Sequence, residues 1–117
     1  MEFIENQSIY MQIADVFCEN ILSGKWKANE RIPSVRDIAV QMEVNPNTAM
    51  RAFIYLQDRG IIYNKRGIGY FVEENGFDKA LSLKREEFIK RDIPNIMRTM
   101  KLLNISCKDM EKLYSEQ

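Results

Sequence analysis

Asn47 and Arg51 lie in the run Val44-Asn45-Pro46-Asn47-Thr48-Ala49-Met50-Arg51-Ala52-Phe53. Spaced i, i+4, an amide and a guanidinium share one face of a helix. On a short helix that pair can read base edges in a major groove. Further on, Lys65 and Arg66 adjoin Gly67-Ile68-Gly69. Flexible cations at such a tip suit phosphate contacts more than base reading. Little else in the chain carries chemistry. There is no histidine, no cysteine beside a base and no phosphate-cradling glycine loop. Glu73-Glu74 and Glu86-Glu87 are more simply solvated faces than acid–base pairs, so the chain is not expected to be an enzyme.

The elements that must hold these residues follow from periodicity. From Pro46, the apolar residues Ala49, Ala52, Phe53 and Leu56 form one buried stripe. Asn47, Arg51, Ile54 and Asp58 point the opposite way, with Met50 on the flank. Asn45 is a good N-cap, Pro46 suits the first helical position, and Gly60 can end the helix in a left-handed conformation. Upstream, Ser34 and Asp37 form a capping box for a helix with Val35, Ile38, Ala39 and Met42 on its apolar side. Only Glu43, Val44 and Asn45 separate the two helices, which suggests helix-turn-helix, although an ordinary αα-hairpin has the same signature.

The flanking segments favour the first reading. A helix from Ser8 to about Leu22 buries Tyr10, Ile13, Ala14, Phe17 and Ile21, and Ser23-Gly24 stops it. Residues 1–7 form a short arm. Residues 25–31 are a loop whose Trp26 packs down on the first helix as a core anchor. After Gly60, Ile61-Ile62-Tyr63 and Tyr70-Phe71-Val72 flank the basic tip as a β-hairpin. Three helices followed by such a hairpin make a winged helix-turn-helix. The expected fold is therefore mainly α with a small β-hairpin, and the winged domain spans residues 1–75.

Residues 76–117 form a second, helical region. Phe77, Ala80, Leu81, Leu83, Lys84 and Phe88 begin a long helical pattern, which Pro94 either kinks or restarts. Ile93, Ile96, Met97, Met100 and Leu103 continue the apolar face. Asn104 provides a break, and Ser106 with Asp109 opens a last helix bearing Met110, Leu113 and Tyr114. About forty residues cannot enclose a core alone. This region is expected to dimerise through Leu81, Phe88, Ile96, Met97, Met100 and Leu103.

Seventeen basic and seventeen acidic residues among 117 cancel, which counts weakly against nucleic acid; binding needs a local patch, not a basic protein. Arg51, Arg59, Lys65 and Arg66 supply one, with only Asp58 opposing. Cys18 and Cys107 match no zinc spacing, and neither metal nor cofactor is expected. The first residues lack a signal peptide's pattern, and no apolar run approaches bilayer length. A cytoplasmic protein with reduced thiols and no membrane partner is the expectation.

Ser8-Ile9-Tyr10-Met11-Gln12-Ile13-Ala14, Ile21-Leu22-Ser23-Gly24 and Arg31-Ile32-Pro33-Ser34-Val35-Arg36-Asp37-Ile38-Ala39 together resemble the GntR family of bacterial transcription regulators. Val44-Asn45-Pro46-Asn47-Thr48 with Arg51-Ala52 is similar to its YtrA-type branch. Asp58-Arg59-Gly60-Ile61-Ile62 and Lys65-Arg66-Gly67-Ile68-Gly69-Tyr70-Phe71-Val72 fit the family's helix end and wing. The resemblance covers roughly residues 8–73, and the short helical tail is similar to that branch's dimerisation region. It implies DNA contacts from Arg36, from Asn45, Asn47, Thr48 and Arg51, and from the wing at Lys65, Arg66 and Gly67. It also suggests an adjacent ABC transporter operon under the regulator's control. One winged helix buries too little DNA for tight binding, so the expectation is a homodimer on an inverted repeat, read as a repressor although the sequence does not separate repression from activation. The chain departs from the family in four places. Ala28-Asn29 replaces a usual Pro-Gly, and Glu43 a common turn glycine. Pro46 and Met50 stand where many members outside the branch have arginines. The rival reading is a winged helix used only for protein contact, which the neutral charge favours slightly. The clustering of Arg36, Asn47, Arg51 and Arg66 on one predicted face favours DNA.

Overall fold

A computed structural model describes residues 7–117, so the arm expected over residues 1–7 lies, but for Gln7, outside the described range. The chain divides into two compact units, Met1–Ser82 and Leu83–Gln117.

In the first unit α1 (Ile9–Leu22) buries Ile13, Ala14, Phe17, Cys18 and Ile21. Ser8 occupies its N-cap position without a side-chain cap hydrogen bond. Helix α2 (Val35–Met42) starts with a complete capping box: the Asp37 amide donates to Ser34 Oγ (3.1 Å) and the Ser34 amide to Asp37 Oδ2 (3.3 Å). Helix α3 (Pro46–Asp58) is capped by Asn45, whose Oδ1 accepts from the Asn47 amide at 2.8 Å. Ala49, Ala52, Phe53 and Leu56 are fully buried, and both α1 and α2 pack on α3. Between α2 and α3, Glu43 is left-handed with φ 55°, and the Val44 amide donates to the Ala39 carbonyl (3.0 Å). After α3, Gly60 turns the chain with φ 72°. The core is aromatic at its centre. Phe17 meets Phe53 and Trp26 edge-on at 5.1 and 5.0 Å, so Trp26 does anchor its loop on α1.

The hairpin pairs β1 (Ile62–Lys65) with β2 (Gly69–Val72), from Ile62 opposite Val72 to Lys65 opposite Gly69. Phe53 of α3 packs on Tyr70 at 4.7 Å, which ties the wing to α3. One segment differs from the expectation. Residues 29–32 are not all loop: they lie antiparallel along β2. Asn29 and Ile32 donate their amides to the Val72 and Tyr70 carbonyls (2.8 and 2.9 Å), and the Val72 amide donates to the Glu30 carbonyl (3.0 Å). Asn29 enters this pairing with φ 63°, a conformation asparagine tolerates where glycine is usual.

Helix α4 (Gly76–Glu87) begins on the hairpin root, with Gly76 and Ala80 buried. A β-carbon at Gly76 would lie 2.8 Å from the Ile61 carbonyl oxygen, so the backbones meet there without room for a side chain.

The second unit continues the helix through a π turn (Phe88–Asp92) into α5 (Ile93–Leu102). Pro94 therefore starts no separate segment. The Ile93 amide reaches back to the Phe88 carbonyl, and this wider turn accommodates a residue that cannot donate to the ladder. Asn104, at φ 57°, breaks the run, and α6 (Cys107–Ser115) follows from a capping box of Ser106 with Asp109. The Ser106 amide, donating at 2.9 Å, holds the Asp109 carboxyl below the ordinary aspartate range. No described residue after Ala80 is buried.

Candidate nucleic-acid interface

The base-reading candidates stand at the start of α3. Asn45 is exposed and uses its Oδ1 on the cap, so its side-chain NH2 is the group left to donate to a partner. Asn47 is exposed, Thr48 half-buried and Arg51 exposed, opposite the buried stripe. Arg51 makes no ion pair with Asp58; its guanidinium carbon lies 4.3 Å from the centre of the Tyr10 ring. Tyr10 in turn meets Tyr55 edge-on at 6.2 Å. Arg59 folds back over Tyr55, 3.5 Å from the ring centre, and Nη1 donates to the Tyr55 carbonyl (3.2 Å). Two arginines thus rest on two touching tyrosines. With Ile54 and Asp58 they line an open cleft of about 240 Å³. Arg36, at the second position of α2, is exposed.

At the wing, Lys65, Arg66 and Gly67 are all exposed. The Ile68 amide donates to the Lys65 carbonyl (2.9 Å) and closes the turn, while Gly67 takes φ 80°. Lys65 leans over Phe71, its Nζ 5.6 Å from the ring centre.

Two residues gain a part that sequence reasoning does not assign them. Tyr10, read only as part of the α1 stripe, is half-buried and carries Arg51. Arg31, read only as the end of a loop, pairs with Phe71 and lies across Gly69, where a β-carbon would come within 2.9 Å of its Nε. The wing's cations therefore include an exposed Arg31. No periodicity marks either role, because both depend on contacts between distant segments.

A three-helix core with a paired wing, presenting an amide and a braced guanidinium on its third helix, is a winged helix-turn-helix DNA-binding module. The model of the bacterial regulatory proteins of the gntR family matches residues 9–72, and the chain belongs to that family, one of transcription regulators rather than enzymes. The chain is 28% identical to the uncharacterized HTH-type transcriptional regulator YhcF of Bacillus subtilis (strain 168), over 93% of this chain and 88% of that one. It is 40% identical to the HTH-type transcriptional repressor YtrA of the same organism, over 57% of this chain and 52% of the repressor. A crystal structure described as a GntR-family transcriptional regulator from Bacteroides thetaiotaomicron is 46% identical, with a TM-score of 0.76 over 93% of this chain and 95% of that one. Among the described residues, no helix is long and apolar enough to cross a membrane.

Proposed function

We propose that this GntR-family regulator is a cytoplasmic repressor that binds an inverted-repeat operator as a homodimer. Arg36, Asn45, Asn47, Thr48 and Arg51 meet bases and nearby phosphates, and Lys65, Arg66 and Gly67 hold the backbone. The observation that carries the reading is the exposed amide and guanidinium on one face of α3, backed by a fully buried stripe. Fully buried residues set the helix angle, so the exposed ones are presented rigidly. The repressor sense follows the relative YtrA, which is named a repressor. Resemblance to that branch extends the proposal to an ABC transporter operon beside the regulator's own gene. Dimerisation is assigned to Leu81, Phe88, Ile96, Met97, Met100 and Leu103. Leu81, Phe88, Met97 and Leu103 are exposed, while Ile96 and Met100 are half-buried on one open apolar groove of α5.

A mobility-shift assay with fragments from the gene's own upstream region tests this, followed by footprinting of any shifted fragment. The expected footprint is twofold symmetric. Fragments that shift no better than random DNA would overturn the operator assignment and leave a protein-contact module. A footprint covering one unrepeated half-site would overturn the dimer.

A further inference from the structure

The face of α3 that carries Asn47 and Arg51 is half apolar. Met50 is 38% exposed and Ile54 45% exposed, yet the buried stripe of this helix is complete without them. At 3.6 residues per turn, Asn47, Met50, Arg51 and Ile54 fall within about 100° of arc. Met50 and Ile54 are themselves spaced i, i+4, so they form one apolar strip beside the guanidinium. Single exposed apolar residues are ordinary. Two in register, flanking the polar groups of a base-reading face, call for an apolar partner within the groove. The major-groove edge of DNA offers one such group, the 5-methyl of thymine.

We propose that each DNA half-site places thymine methyl groups against Met50 and Ile54, next to the base edges bonded by Asn47 and Arg51. The inference rests on the DNA-reading assignment above and names the class of site read: a mixed half-site with thymines, not a purely G·C one. The two side chains suit different tasks. Ile54 is β-branched and stiff, and so fixes the position of its methyl contact. Met50 is flexible and polarizable, and adapts to the step beside it.

The test starts from the consensus duplex recovered by selection from a random-sequence pool with the full chain. Each thymine is replaced in turn by uracil, which keeps every hydrogen-bonding group and removes only the methyl. At one or more thymines per half-site the wild-type protein should lose about fourfold in affinity, the weight of one buried methyl group. Met50→Ala or Ile54→Ala should bind the consensus more weakly and become indifferent to uracil at its own position, while Arg51→Ala keeps the uracil penalty. Both alanine variants change exposed side chains, and a thermal melt matching wild type confirms that they fold. A consensus indifferent to uracil throughout, or a penalty that survives in both variants, overturns the inference and leaves DNA reading intact. A pool that enriches no sequence overturns DNA reading itself, and this inference with it.

Discussion

Arg51 rests on the Tyr10 ring at 4.3 Å, and Tyr10 is held by Tyr55. An arginine reaching freely into a groove loses side-chain entropy when it binds, whereas one already stacked loses less. Arg51→Ala should weaken specific binding by about 1–3 kcal/mol per half-site, as for a bidentate base contact, measured by titration of the operator duplex. Unchanged affinity in a folded variant would remove Arg51 from the interface. Tyr10→Leu should cost less, about 0.5–1 kcal/mol per half-site, because it removes only the support. Tyr10→Phe keeps the ring and should keep affinity. In Arg51→Ala the same Tyr10→Leu change should be silent, and a full-sized loss there would make Tyr10 merely structural. The wing differs in kind. Lys65 and Arg66 sit on an exposed turn, so replacing both with alanine should weaken binding to all sequences about equally. It should flatten the dependence on salt by up to ~2 in slope per wing. A change in sequence preference at constant salt slope would make the wing a base reader.

Elements α2 and α3 are joined through Glu43, a left-handed residue with a β-carbon. That conformation costs about 1–2 kcal/mol relative to glycine, and glycine's greater freedom in the unfolded chain returns about 0.4–1 of it. Glu43→Gly should therefore stabilise the first unit by roughly 0.5–1 kcal/mol, read as a higher midpoint in urea. A lower midpoint would mean that the Glu43 side chain contributes more than its backbone costs. The turn shows why parts of this fold were readable in advance. Ser34 with Asp37 and Asn45 with Pro46 are local signals, satisfied by neighbours in the chain, and they place α2 and α3 correctly. The same holds for Asn104 and for Ser106 with Asp109 around α6. The pairing of residues 29–32 with β2 has no such signature. Among those four side chains only Ile32 is buried, so no alternation marks a strand, and its hydrogen bonds go to residues far along the chain. Pro94 is a third case. Its missing N–H is obvious in sequence, but whether a helix answers by breaking or by widening depends on backbone hydrogen bonding, and here it widens. The α3 face could be read because helical spacing alone sorts Asn47 and Arg51 from the core. Tyr10 and Arg31 could not, since each matters through a contact across the fold.

At the scale of the whole molecule the question is how one winged domain binds a single site tightly. A single recognition module buries only about 600–1,000 Å² against DNA, and two related by a twofold axis double the contacts and add half-site spacing as a criterion. Residues 83–117 contain no buried residue, yet expose Phe88, Ile89, Met97, Leu103, Met110 and Leu113. Helices with no fully buried residue have little to hold them in water beyond partial burial, capping and ion pairs such as Lys84–Glu87 and Lys90–Glu86. A second copy covering the apolar side chains would supply the missing burial. The place to cut the chain follows from Gly76 and Ala80, which belong to the core of the first unit. Ending the chain after Ser82 keeps them, whereas ending it after Glu74 would strip the hairpin root. The Ser82 truncation should sediment as a folded monomer and bind the operator far more weakly, with a loss that shrinks as protein concentration rises. The full chain should sediment as a dimer at micromolar concentration. Met97→Glu together with Leu103→Glu should reproduce the truncation without shortening anything, since both positions are exposed and a charge there disturbs only an apolar contact. A full-length protein that remains monomeric, or a Ser82 truncation that remains dimeric, would move the dimer contact off the C-terminal helices.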